Sequence, residues 1–388
     1  MTGKLRRSKI AFICTYSTPL RTYRMARALA GHGYEVYIIE WDRSGSKLKI
    51  EKKDGIIYRR LTLKAPFGIL LFFLLPLWHM YIFIQTLVNS YQIVQPQNLD
   101  CLLPIIFSSK LLRKRKIVYD LADFYADAYV NNIPLIRNIC ALTERILIKC
   151  FVDCLILVSE KQLSQVGFQN VPGKVIIIYN SPDASEIAMC MSLDNEESEK
   201  VRKNGVIVLL YAGVLPLDRV RLLLNVYKAI NGLPVKLLIA GYGEFESFFK
   251  KINLERSSIK FLGSLPHEEV LKLSKIADAI ILPYDPVIYN NRIGLPNKLF
   301  DAMATGSIIL APANTYMGQI TSLYNIGFIV DYNDINSIRN ALKNIMNLST
   351  STREEIKKRA RKVFEEKFSF ERLKERYIKT ITEVMRNK

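Results

Sequence analysis

Short apolar runs of strand length alternate with helical patterns along this chain, and they do so twice, with a polar break between. The first series runs through Ile10–Cys14, Glu35–Glu40, Ile93–Gln95, Ile117–Tyr119, Cys154–Val158 and Val175–Tyr179. The second runs through Val206–Tyr211, Lys236–Ala240, Ile259–Leu262, Ala279–Leu282, Ser307–Leu310 and Gly327–Val330. Strand–helix alternation predicts parallel sheets covered by helices, and two series predict two such domains. With 388 residues and 49% hydrophobic content, the chain can fill both cores. Residues 1–185 are expected to form the first domain, 186–204 a polar, acidic linker, and 205–365 the second domain. A helical tail, 366–388, is expected to close the chain, with a return to the first domain as one course open to it. Doubly wound sheets bind ligands at the carboxyl ends of their strands, so a cleft between the two domains is the place to look for function.

Residues 294–311 carry the sharpest chemical signal. Gly294-Leu295-Pro296 leads into a short helix, Gly306 stops it, and Ile308-Ile309-Leu310 reads as a buried strand. Pro296 fits the first helical position, where its missing N–H costs nothing. The free N–H groups near Leu295–Asn297 and the positive end of the helix dipole suit a phosphate. Lys298 in the first turn can neutralise a diphosphate, and Asp301 one turn on can accept from ribose hydroxyls. A capped helix with solvated charges is the plainer reading of the same residues.

The segment Pro296-Asn297-Lys298-Leu299-Phe300-Asp301 resembles the donor-binding motif of family 4 glycosyltransferases, in its Pro-Asn-Lys-Leu-Phe-Glu variant. The resemblance extends through Arg21–Val36, Val158-Ser159-Glu160, Tyr179–Asp183, Tyr211-Ala212-Gly213, Ile239–Glu244 and Phe261–Pro266. It implies the GT-B fold: α/β, two doubly wound Rossmann-like domains facing a central cleft. It further implies a retaining transfer of a sugar from a nucleotide diphosphate, without a metal or other cofactor. By the same resemblance, Gly213, Arg219, Gly241, Glu244, Leu295, Asn297, Lys298 and Asp301 line the donor site. Arg219 and Lys298 are its phosphate-binding cations. Asp301 stands for the second acid of the family's Glu-x7-Glu pattern, and the first falls at Ile293. Asn291 is the nearest polar side chain to that gap, so it joins Asp301 among the catalytic candidates. On the acceptor side Asp120 and Asp123 are further catalytic candidates, to orient an acceptor hydroxyl or, equally, to cap a helix. Arg21 and Asp123 are the candidates for acceptor or phosphate contact; Ala122 and Gln95–Asn98 replace expected histidines. A catalytically weak or inactive GT-B subunit is the alternative.

The net charge of +19 asks for an anionic partner. Residues 1–60 hold 14 Lys/Arg against five acids, and Arg113-Lys114-Arg115-Lys116 adds a second cluster. No nucleic-acid module is evident, so an anionic membrane surface is the expected partner. Between Ala65 and Leu99 there is no charged residue. A single crossing by this run would cut a sheet whose strands flank it. What remains is an interfacial helical hairpin bent near Pro76, or a core helix, over segment 65–90. Six scattered Cys without ligand spacing predict reduced, buried thiols, and neither a zinc site nor a signal peptide is expected. Taken with the activity that the resemblance implies, these features predict a protein on the cytoplasmic face of the membrane, moving a sugar onto a lipid-linked saccharide.

Overall fold

The structure, a computed structural model, describes residues 8–65, 69–128, 130, 133–167, 173–191, 206–255 and 258–386. Two compact units emerge: Met1–Ile178 together with Leu373–Lys388, and Tyr179–Arg372. The first division falls at Tyr179, so residues 179–185, expected in the first domain, lie in the second. Part of the expected linker is helix: Ala184–Met191 packs on the helix His267–Ile276, while residues 192–204 lie outside the described residues. The last residues return to the first unit, where Tyr377 donates to Gln95 at 2.7 Å and Lys174 pairs with Glu383.

The first unit is built on strands β1 (Lys9–Cys14), β2 (Glu35–Asp42), β3 (Ile50–Lys53), β4 (Ile56–Thr62), β5 (Ile93–Pro96), β6 (Lys116–Leu121), β7 (Cys154–Leu157) and β8 (Lys174–Ile177). Their order is β3-β4-β2-β1-β5-β6-β7-β8, parallel except for β3 against β4. The central strands are apolar through their middles, as in Ile10–Cys14 and Val36–Ile39, which is expected of a parallel sheet covered on both faces. The hairpin of β3 and β4 lies in a charge-rich stretch where periodicity predicts no strand. Its two-residue turn, Asp54-Gly55, has φ of 52° and 77°, the left-handed geometry that twists two strands together. That Asp-Gly pair is a sequence signal in its own right.

The apolar run forms one helix, Ile69–Val88, with Pro76 inside it and no hairpin. One face packs on the sheet: Trp78 and Ile82 are fully buried, and the Trp78 ring stacks on Trp41 at 5.9 Å. The indole N–H of Trp78 donates to Thr15 Oγ1 at 3.1 Å. The opposite face carries Phe73, Leu77, Met80, Ile84 and Val88 at helical spacing, and all five are exposed. The segment is therefore a core helix on one side and an apolar surface on the other. Among the described residues no helix is long and apolar enough to cross a membrane. Residues 66–68 of this segment lie outside the described residues.

The second unit holds strands β9 (Ile207–Val214), β10 (Val235–Tyr242), β11 (Ile259–Gly263), β12 (Ala279–Ile281), β13 (Ile308–Pro312) and β14 (Gly327–Val330). All are parallel, in the order β11-β10-β9-β12-β13-β14. Strand order reverses between β9 and β12 here, and between β1 and β5 in the first unit. These are the switch points at which open α/β sheets take ligands.

Candidate active site

At the β9/β12 switch point, the segments that follow the two strands converge. After β9 the chain turns through Gly213 and enters the helix Leu217–Ile230, whose first turn carries Arg219. After β12 comes Tyr284, and further on the helix Asn297–Thr305 places Lys298 at its second position. The buried Arg219 guanidinium lies over the Tyr284 ring, 3.5 Å from its centroid, and donates to Asn291 Oδ1 at 3.3 Å and Pro283 O at 3.2 Å. Lys298 Nζ donates to Tyr284 Oη at 3.2 Å. Burial opposes the Lys298 ammonium, yet the phenols of Tyr284 and Tyr211 outweigh it and hold its pKa above the ordinary lysine value. Burial would also raise the Tyr284 phenol, but Lys298 and then Arg219 outweigh it and bring that phenol below its ordinary value.

Among the described residues no carboxylate pairs with Lys298. Arg219 itself pairs with Asp218, Nη1 to Oδ2 at 2.9 Å. The half-buried Lys298 ammonium beside it is offset only by phenols, an arrangement suited to an anion. The helix behind it has no side-chain cap at its start. Pro296 occupies the N-cap rather than the first helical position, so the N–H groups of Asn297 and Lys298 open the helix. Gly306 ends it in left-handed geometry.

The geometry brings together Gly213, Arg219, Asn291 and Lys298, all singled out in the sequence. Gly213 has φ of 144°, and a Cβ there would lie 2.4 Å from Lys298 Nζ. A Cβ at Gly241 would lie 2.3 Å from Gly213 O, which lets the ends of β9 and β10 approach. Gly213→Ala should therefore displace Lys298 and weaken nucleotide binding at least about tenfold, by the charge-assisted bond it disturbs. Calorimetric titration with nucleoside diphosphates checks this, and unchanged affinity would separate Gly213 from the site.

Other expected residues lie elsewhere. Asp301, assigned to the ribose, is buried and tied to His267, whose Nε2 sits 3.2 Å from Asp301 Oδ1. The other ring nitrogen of His267 is 3.2 Å from Glu186 Oε1. This carboxylate–imidazole–carboxylate chain escapes the sequence because its three members are far apart in the chain. Leu295 is a core residue, 2% exposed, so only its backbone can serve a ligand. Glu244 is exposed in the turn after β10, and no described contact joins it to Lys298 or Arg219. Ile293, at the place of the missing acid, is buried.

In the first unit Arg21 and Asp120 form a buried ion pair, Nη2 to Oδ1 at 3.0 Å, and Arg21 also donates to the carbonyls of Ile178 and Leu157. Both charges are thereby committed to joining strand ends, not to an acceptor. The backbone N–H of Asp123 donates to Asn98 Oδ1 at 3.4 Å. At the β1/β5 switch point lies a pocket lined by Thr15, Tyr16, Leu71, Leu75, Asp100 and Tyr125. Asp100 accepts from the Thr15 hydroxyl, and burial pushes its carboxyl up to about 6. Cys14, Cys101, Cys154 and Cys190 are buried free thiols, whereas Cys150 is free and exposed, against expectation. Among the described residues no cluster suited to a metal ion is present.

Residues 193–363 match the family model of glycosyl transferases group 1. No curated protein matches the chain in sequence. Among solved structures, it is similar to sucrose-phosphate synthase from Thermosynechococcus elongatus, with 16% identity, a TM-score of 0.73, and coverage of 97% of this chain and 99% of that one. It is similar to HepE from Anabaena in complex with UDP and glucose, with 14% identity, a TM-score of 0.72, and coverage of 97% and 100%. A trehalose-6-phosphate synthase studied for glycosyl transfer with retention gives 12% identity, a TM-score of 0.70, and coverage of 97% and 99%. The fold is GT-B, in two α/β units with parallel sheets.

Proposed function

Starting from a glycosyltransferase of GT-B type, we propose that this enzyme transfers a sugar, with retention, from a uridine-diphosphate sugar to a lipid-linked saccharide. The reaction would serve polysaccharide or glycan assembly at the cytoplasmic face of the membrane. The observation that carries the donor half is the Arg219–Lys298 pair, two cations at a switch point with no carboxylate on Lys298. As the sugar bond breaks, negative charge grows on the diphosphate, and preorganised cations and N–H groups stabilise it where it develops. Asn291 holds the Arg219 guanidinium in place. Similarity to a structure named with UDP supports uridine as the base of the donor.

The acceptor half rests on the first unit. The helix Ile69–Val88 shows Leu71 and Leu75 to the Asp100 pocket and an exposed apolar stripe to solvent. Phe73 at 70% and Val88 at 67% exposure are costly in water and at home in a lipid interface. We assign the pocket to the saccharide end of an amphiphilic acceptor, with Asp100 orienting its hydroxyl and Asp123, whose N–H donates to Asn98 of the pocket wall, as a second candidate. The free thiols suit a reducing compartment.

A thermal-shift panel of UDP, GDP, ADP and CDP tests the donor half, since a ligand that binds only the folded state raises its stability by mass action. UDP should stabilise most, and no shift with any of the four would overturn the assignment. Asp100→Asn should impair acceptor use about 10²-fold or more, as loss of a general base does, while UDP affinity stays unchanged. Equal transfer rates would remove Asp100 from the acceptor site.

A further inference from the structure

At the carboxyl end of the apolar helix the first unit has a second, larger cavity, lined by Val88, Tyr91, Arg113, Lys114, Arg115 and Lys116 among others. Its charge is strongly one-sided. Arg113 and Lys114 are exposed, and among the described residues no carboxylate pairs with either. Arg115 is buried and gives its guanidinium to the backbone carbonyls of Thr86 and Asn89, at the end of the helix, so it brings charge without an acid to cancel it. Lys116 alone of the four shares a carboxylate, Asp153, at 3.3 Å. The phenol oxygen of Tyr91, in the cavity wall, is buried without a partner. Burial and then Arg113 lower the pKa of Arg115, as expected where cations crowd without an anion.

Val88 belongs to two surfaces at once. It is the last residue of the exposed stripe Phe73-Leu77-Met80-Ile84-Val88, and it lines the basic cavity. Just before Arg113, the exposed Phe107, Leu111 and Leu112 extend the apolar surface toward the same rim. An apolar band that ends at a basic, oxygen-seeking pocket matches an anionic phospholipid, acyl chains against the band and phosphate among the cations. We propose that this cavity is a headgroup site for anionic phospholipid, which fixes the first unit on the leaflet by one specific phosphate contact beyond general charge attraction. This rests on the membrane reading above and is distinct from the nucleotide site.

Co-sedimentation of the full chain with phosphatidylcholine vesicles, with and without phosphatidylglycerol, tests it. The protein should bind both, and prefer the anionic vesicles by at least about tenfold, as expected from several cations near the surface. Arg113→Glu with Lys114→Glu should abolish that preference and keep the weaker binding to phosphatidylcholine. Phe73→Asp with Ile84→Asp should lose binding to both. UDP affinity, unchanged in each variant, reports that the fold is intact. Equal binding of the unaltered protein to both vesicles would overturn the headgroup site and leave the membrane reading standing. So would a charge-reversed variant that still prefers phosphatidylglycerol. Binding to neither vesicle would overturn both.

Discussion

Lys298→Ala is expected to lower kcat/KM for the donor by about 10²–10³-fold, the usual loss when one preorganised donor to a developing anion is removed. UDP affinity should fall by about 1.5–3 kcal/mol, the worth of a charge-assisted hydrogen bond. The folded state should survive, because Lys298 has no carboxylate partner to strand and its one described hydrogen bond goes to Tyr284. Lys298→Arg should not rescue, since the ammonium already fills the space that a Cβ on Gly213 would occupy. Calorimetry and steady-state kinetics read the two effects separately. Equal UDP affinity in the alanine variant would remove Lys298 from the donor site.

The second large effect concerns pH. Glu144, on the helix Pro134–Phe151, is fully buried; it accepts from the Tyr119 hydroxyl and from the Tyr125 N–H at 3.0 Å. Burial pushes its carboxyl from 4.5 up to about 8. The folded protein therefore keeps a proton that the unfolded chain releases near pH 4.5. Stability from this group is complete below that pH and is lost as pH rises through about 8. At about 1.4 kcal/mol per pH unit, the full loss reaches roughly 3–5 kcal/mol. Glu144→Gln should remove most of this slope and stabilise the protein at pH 8 relative to the unaltered chain. Asp100, shifted in the same direction from 3.8 to about 6, gives a smaller total loss over a narrower window at lower pH. Denaturant curves at pH 5 and pH 8 for both proteins measure it, and parallel losses would contradict the account.

The fold was legible because its strands are buried on both faces, and continuous apolar runs such as Ile10–Cys14 and Ile308–Leu310 stand out without help from periodicity. The hairpin of β3 and β4 was not, since Ile50–Lys53 sits at a sheet edge and carries the charges that edges carry. At the proposed donor site, Lys298, Arg219 and Gly213 stand out in the sequence because local chemistry marks each one: a cation opening a helix, a cation after a strand, a glycine at a turn. Tyr284 and His267 were not, because their roles come from what the fold sets opposite them. Asp301 carries the same lesson. Its motif position suggested a ribose, while its neighbour in space is an imidazole. The apolar segment misled in another way: absence of charge says that a helix is greasy, not that both its faces are buried.

Transfer of sugar to a lipid is the decisive property of the proposed enzyme. Purified protein incubated with membranes and radiolabelled UDP-sugars should place label in the organic-solvent extract, and Lys298→Ala should abolish it. Nucleotide binding in calorimetry with no label in lipid from any donor would contradict the proposed reaction.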